Sequence, residues 1–404
     1  MRAIFTFMIC VNIIYVANAQ WILQNSGTTN SLNNVSFTDL DNGTAVGRYG
    51  TIIRTTDGGT TWISQTSGTS NWLTDVCFTN VNIGTVVGEG NIILRTTNGG
   101  TIWDLQPSAT TDWLIGVFFF DENNGTVFGE WGKILRTTDG GTTWNLQSSG
   151  MTNHLCGVSF ADVNNGIVVG GSGTILSTTD GGTTWTLQSS GTTNWLERIN
   201  FNSTNSATAI GENGTILRTT NGGTTWSLQT SGTTNWFNGI SFTDANNGTV
   251  VGENGTILRT TNGGTTWTSQ TSGTTNWLNG VSFINNNIGT AVGWDGTILK
   301  TTNGGITFIE DNEKAIVANF ILMQNYPNPF NPTTTIKYDI PKSGFVSLKV
   351  FDVLGNEIAT LINEEKPAGD YEVNFSATSL STGIYFYRLQ TGSYSMIKKM
   401  TLIK

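Results

Sequence analysis

Tryptophan returns every 41 residues over the first three quarters of the chain: Trp21, Trp62, Trp103, Trp144, Trp185, Trp226 and Trp267, with Phe308 in the eighth place. No residue is inserted or lost across this run. So strict a period describes equal structural units, each unable to bury its own apolar face and each leaning on the next.

One unit, Trp226 to Thr266, shows what is repeated. Four short alternating segments (226–229, 236–242, 249–252 and 256–260) read as β-strands. The turns between them are rich in Gly, Asn and Asp. Asn247-Gly248 is expected to take positive φ in the second of these. Four strands in 41 residues leave no room for a helix. The expected fold class is all-β: a seven-bladed β-propeller over residues 20–310, closed into a ring so that every sheet packs on two neighbours. The inner-strand pattern occurs seven times, beginning near Leu32, Leu73, Leu114, Leu155, Leu196, Phe237 and Leu278. The Trp strand occurs eight times, so one copy is spare. Either Trp21–Gln24 supplies the outer strand of the last blade and latches the ring, or the Phe308 segment does. The departure of Phe308-Ile309-Glu310 from the pattern favours Trp21–Gln24.

The ends carry other signals. Residues 1–19 read as a signal peptide: Arg2, an apolar stretch from Ile4 to Val16, then Ala17-Asn18-Ala19 as a cleavage site. No later stretch is apolar and long enough to span a bilayer. Cys77 and Cys156 fall in different repeat registers and are expected as free thiols. Residues 311–320 form a linker. Residues 321–404 alternate as strands at 335–340, 345–351, 371–375, 383–389 and 396–403, which implies a small C-terminal β-sandwich. The net charge is -9, and residues 20–310 hold 19 acidic against 9 basic side chains. This balance argues against nucleic acid as a partner.

Each anchor Trp ends a turn such as Thr55-Thr56-Asp57-Gly58-Gly59-Thr60-Thr61-Trp62, which matches the Asp-box of sialidases and related propellers. Its key position is Asp57, Asn98, Asp139, Asp180, Asn221, Asn262 and Asn303. Interchange of Asp and Asn fits a turn staple and not catalysis. The arginine triad and tyrosine nucleophile of the sialidases are missing from the pattern: Arg54, Arg95, Arg136, Arg218 and Arg259 fill a single register, as repeated architecture does. The stretch from Gly252 to Trp267 closely resembles the repeat of photosystem II assembly factors and their relatives. That resemblance covers residues 21–308 and implies a propeller with a binding role. In the tail, Asn325-Tyr326-Pro327-Asn328-Pro329-Phe330-Asn331-Pro332, Val350 to Gly355, Gly383-Ile384-Tyr385 and Lys398-Lys399-Met400 resemble the type A C-terminal sorting domain of type IX secretion. This resemblance implies the type IX machinery as a partner of 321–404 and a secreted or surface-attached product.

No catalytic group, metal set or cofactor site stands out. The candidate binding residues are Trp72, Trp113, Trp195, Trp236 and Trp277, which share one register before the inner strand, with Ser31 and His154 in the other two copies. Glu89, Glu130, Glu212 and Glu253 share a turn expected at the same end of the ring, and Trp131 and Trp294 add to it. Arg48, Gly171 and Trp294 replace the glutamate elsewhere. Such an annulus can bind a glycan, a peptide or another surface protein. The alternatives are inter-blade packing in a purely structural scaffold, or a glycoside hydrolase using two of the carboxylates.

Overall fold

The computed structural model describes residues 21–305, 321–341, 343–392 and 394–404. The expected signal peptide, the Phe308 segment and the linker 311–320 lie outside the described residues. The chain divides into two units, Met1–Thr307 and Phe308–Lys404.

The first unit contains seven four-stranded antiparallel sheets, the blades of a propeller. Blade 1 consists of Leu32–Phe37, Gly43–Gly47, Ile52–Thr55 and Ile63–Gln65, from the channel outward. Blades 2 to 6 repeat it, opening at Leu73, Leu114, Leu155, Leu196 and Phe237. Blade 7 takes three strands from Leu278–Phe283, Gly289–Gly293 and Ile298–Thr301. Its fourth is Ile22–Gln24, with Ile22 opposite Lys300 and Gln24 opposite Ile298. The N-terminal segment is therefore the latch.

Side chains tie each blade to the next. At the channel, Asn33 Nδ2 donates to Leu73 O (2.7 Å), Thr74 Oγ1 to Leu114 O (2.8 Å) and Asn279 Nδ2 to Leu32 O (2.9 Å), the last joining blade 7 to blade 1. Deeper in, Ser36, Ser159, Ser241 and Ser282 each accept the Phe N–H of the following blade. Three of the five regular arginines do the same further out. Arg54, Arg95 and Arg259 donate to a carbonyl of the next blade's hairpin and lie over its Phe ring, at 5.4, 5.0 and 5.0 Å. Lys300 reaches Gly58 O and closes that series around the ring. These cations are spent on architecture, as their single register implied.

The middle strands are wholly buried, and six of the seven anchor Trp rings pack edge-to-face on the Phe of their own blade, as Trp62 does on Phe37 at 6.0 Å and Trp103 on Phe78 at 5.9 Å. The Asp-box turns work as staples. Asp57 accepts from Thr61 N (2.9 Å), Thr61 Oγ1 (2.6 Å) and Thr55 Oγ1 (2.8 Å). In the Asn221 and Asn262 turns Thr219 and Thr260 still donate to the key residue, but the link to the Thr61 counterpart reverses: Asn221 and Asn262 donate to Thr225 and Thr266 (both 2.9 Å). A threonine hydroxyl can both donate and accept, so either residue serves.

This exchange has a consequence at low pH. The hydrogen bonds from Thr61 and its counterparts hold the Asp57, Asp139 and Asp180 carboxyls down at about 2, below the roughly 3.9 of an unfolded chain. A depressed acid stabilises the fold above the unfolded value, and that contribution is lost as pH falls through the folded one. Replacing all three by Asn is therefore expected to flatten the loss of stability between about pH 4 and pH 2, measured by urea midpoints. Equal acid sensitivity in wild type and variant would refute the staple.

One turn differs from expectation. Asn247 and Gly248 do not take positive φ. Instead the Asp244 carboxylate accepts Asn246 N (2.7 Å) and Asn247 N (2.8 Å), which closes the turn through a side chain. Positive φ falls one turn later, at Asn254 (55°) and Gly255 (66°). The corresponding Gly214 must be glycine: a Cβ there would stand 2.0 Å from Thr233 O. Cys77 and Cys156 are free. Cys77 lines the channel and Cys156 is buried.

The second unit is a sandwich of a three-stranded and a four-stranded sheet around Phe330, Ile336, Tyr338, Leu348, Tyr387 and Met400. Beside the expected strands it contains Ile321–Leu322 and Glu357–Lys366. The second was illegible because its helix-forming residues and charges do not alternate. It forms a sheet edge, where charge is tolerated, and a bulge near Leu348–Lys349 breaks its period.

Candidate functional site

Strand direction sorts the connections. The segment entering each inner strand and the turn between the second and third strands share one end of the ring; the Asp-box turns lie at the other. The Trp72 and Glu253 registers do meet at the first end. Glu89 N donates to Trp72 O (2.8 Å), and Glu253 N to Trp236 O (2.8 Å). The carboxylates are engaged too: Glu89, Glu212 and Glu253 accept the backbone N–H of Trp72, Trp195 and Trp236 at 3.1–3.2 Å. Their local effect is to fix the segment that presents each ring.

All five tryptophans of the register, Trp72, Trp113, Trp195, Trp236 and Trp277, are half-buried. Trp131 and Trp294 are exposed, at 58% and 39%. The rings form two arcs. In the first, Trp277 stacks on Trp294 (centroids 5.1 Å, 9° from parallel). Arg48 follows, 6.0 Å from the Trp294 ring and 4.2 Å from Trp72, and Trp72 meets Trp113 edge-on at 6.0 Å. In the second arc His154 lies between Trp131 (5.3 Å) and Trp195 (5.7 Å), with its Nδ1 3.9 Å from Glu130. No ring partner of Trp236 falls in either arc.

The breaks in the repeat are thus coordinated. Trp294 and Arg48 stand where other blades have Glu, and both join the first arc. Gly171 stands there in blade 4, and a Cβ at Gly171 would come within 3.2 Å of the Trp195 ring. His154 replaces Trp and completes the second arc. Trp131 holds φ 56° in a turn where blades 5 and 6 use Asn, a conformation a bulky residue rarely adopts.

Beside the first arc a cavity of about 280 Å³ opens at the channel mouth, lined among others by Arg48, Trp72, Trp277, Trp294, Glu197 and Arg198. Burial raises the pKa of Glu197, opposed by neighbouring Arg198. Arg198 also borders a second space of about 210 Å³ deeper in the channel. Arg48, Glu197 and Arg198 were not among the candidates read from the sequence. Their signal was there, as departures from their registers. Among the described residues no three His, Cys, Asp or Glu side chains are grouped to hold a metal ion, and no helix is long and apolar enough to cross a membrane.

The comparisons agree with this architecture. Residues 14–107, 144–233 and 224–314 match the family "Photosynthesis system II assembly factor YCF48", and 324–404 match the "Secretion system C-terminal sorting domain". No curated protein matches the chain. Among solved structures, YCF48 bound to D1 peptide is 22% identical with a TM-score of 0.61, covering 72% of this chain and all of that one. YCF48 from Cyanidioschyzon merolae is 21% identical with a TM-score of 0.60, covering 70% and 99%. The WD40 propeller domain of Doa1 gives 14% and 0.57, covering 69% and 96%. At these identities the structures speak for the fold alone. The sorting domain marks a product of type IX secretion, released or held at the outer surface. With more than half of its length matched, the chain belongs to the YCF48 family of assembly-factor propellers, here joined to a secretion sorting domain.

Proposed function

We propose that the propeller binds an extended peptide segment of another secreted or surface protein at the aromatic end of its channel. The observation that carries this reading is the cavity beside Trp72, Trp277 and Trp294. It is walled by half-exposed indoles, the side chains most often responsible for affinity at protein interfaces. Its size, near the lower end for ligand pockets, suits a side chain or chain end better than an oligosaccharide. The relative solved as YCF48 bound to D1 peptide supports a peptide over a glycan. A hydrolase is less supported, because three of the four turn glutamates are committed to tryptophan N–H groups.

The test is selection of displayed heptapeptides on the exported propeller, followed by titration of synthetic copies. Trp277→Ala is expected to weaken them about thirtyfold, the effect of removing a hot-spot residue of roughly 2 kcal/mol. Stability should change by less than about 1 kcal/mol, since the ring is only half-buried. Unchanged affinity with a large loss of stability would assign the annulus to packing instead.

A further inference from the structure

The structure assigns the cavity at the channel mouth to a carboxylate-bearing peptide, with Arg48 as the group that grips the carboxylate. The assignment rests on the peptide-binding reading above and deepens it.

Arg48 differs from four of the ring's regular cations in what it donates to, and from the whole arginine register in standing at the aromatic end of the channel. Arg54, Arg95 and Arg259 donate to carbonyls of the next blade, and Lys300 to Gly58 O. The Arg48 guanidinium donates to no oxygen among the described residues and forms no ion pair; its side-chain contacts are the Trp72 and Trp294 rings. Contact with a π face holds the charge without consuming its N–H donors. Five donors in a planar fork are left at the cavity, the geometry that matches a carboxylate.

The local charge favours the same ligand. The turn that carries glutamate in blades 2, 3, 5 and 6 carries Arg48 in blade 1 and Trp294 in blade 7. Blades 1 and 7 thus bring no carboxylate of this register to the mouth, and Glu89 of blade 2 is engaged by the Trp72 N–H at 3.2 Å. Asp295, next to Trp294, borders the groove at the outer strands and not the mouth cavity. The Glu197 carboxyl at the cavity is offset by adjacent Arg198. The cavity's amides are occupied: Asn33, Asn238 and Asn279 donate to Leu73, Leu278 and Leu32 carbonyls. Of the two cations at the cavity, Arg198 donates through Nη1 to Cys156 O and Arg48 has no oxygen partner among the described residues; an acceptor carrying full negative charge is the strongest partner for such a donor.

Two synthetic heptapeptide pools test this on the folded, exported chain. One contains Asp, Glu and a free C-terminus. The other replaces them by Asn, Gln and a terminal amide. Retention of the acidic pool alone is expected. Arg48→Lys, which keeps the charge but loses the planar fork, is expected to weaken the retained peptides roughly ten- to a hundredfold. Trp294→Glu restores the residue type of four other blades, so the fold accommodates it, and it is expected to abolish retention by repulsion. Trp294→Gln removes the same ring without the charge, and stronger retention of the acidic pool by it than by Trp294→Glu decides the matter if Arg48→Lys fails to fold. Equal retention of both pools, weakened by Trp277→Ala but not by Arg48→Lys, would overturn the carboxylate assignment and leave peptide binding standing. No retention of either pool, with binding of a uronate oligosaccharide instead, would overturn both.

Discussion

Replacing Trp21 by alanine is expected to cost about 3–5 kcal/mol, the range for removing a large aromatic from a packed core. Trp21 is 2% exposed and packs with Val281, Phe283 and Leu299 of blade 7 and with Val251 and Ile257 of blade 6. Its ring meets Phe283 edge-on at 5.7 Å, and its Nε1 donates to Gln270 Oε1 at 2.9 Å. One side chain thus fills the core between the last two blades and anchors the three-residue strand that completes the ring. The strand itself offers few contacts: Leu23, its middle residue, is 68% exposed. Leu23→Ala is accordingly expected to change stability by no more than about 0.5 kcal/mol. Urea midpoints of the two variants decide the point. Similar midpoints would mean that the ring does not depend on this latch.

Gly157→Val is expected to cost about 3 kcal/mol, at the upper end for overpacking. A Cβ at Gly157 would lie 2.7 Å from Arg198 Cα, with Glu197 O and Ile199 N at 3.0 Å. All three are backbone atoms of the next blade, which cannot give way unless the ring widens. The same register holds Asn34 and Asp75 in blades 1 and 2. There the two side chains hydrogen-bond to each other, and Asp75 also accepts Val117 N at 3.0 Å. Side chains thus fill the space between blades 1 and 2 at a register where a Cβ of blade 4 would meet the backbone of blade 5. Asn34→Ala is expected to cost only about 1 kcal/mol, the value of one hydrogen bond. If Gly157→Val matched it in a thermal melt, close approach of blades 4 and 5 would not be what requires glycine.

The two substitutions separate local from nonlocal information. The number of blades, the strand order and the Asp-box staples depend on contacts within one 41-residue unit. Thr55, Asp57 and Thr61 lie within seven positions of one another, so their hydrogen bonds are written in the spacing. The meeting of the Trp72 and Glu253 registers was legible for the same reason, because an antiparallel meander returns every second connection to one end. The strand Glu357–Lys366 was not, because edge exposure and a bulge erase the alternation on which such a reading depends.

Other features depend on residues about 25 to 250 positions apart. Trp21 finding Gln270, Arg48 meeting both Trp72 and Trp294, and Gly157 facing Arg198 follow only from packing blade on blade and closing the circle. The chain by itself determined the period, the all-β class, the seven blades and the sorting domain, because alternation and turn chemistry act over a few residues. Only the tertiary structure decided which strand latches the ring and which departures from the repeat converge on one cavity. Closure brings together side chains whose separation along the sequence carries no local signal.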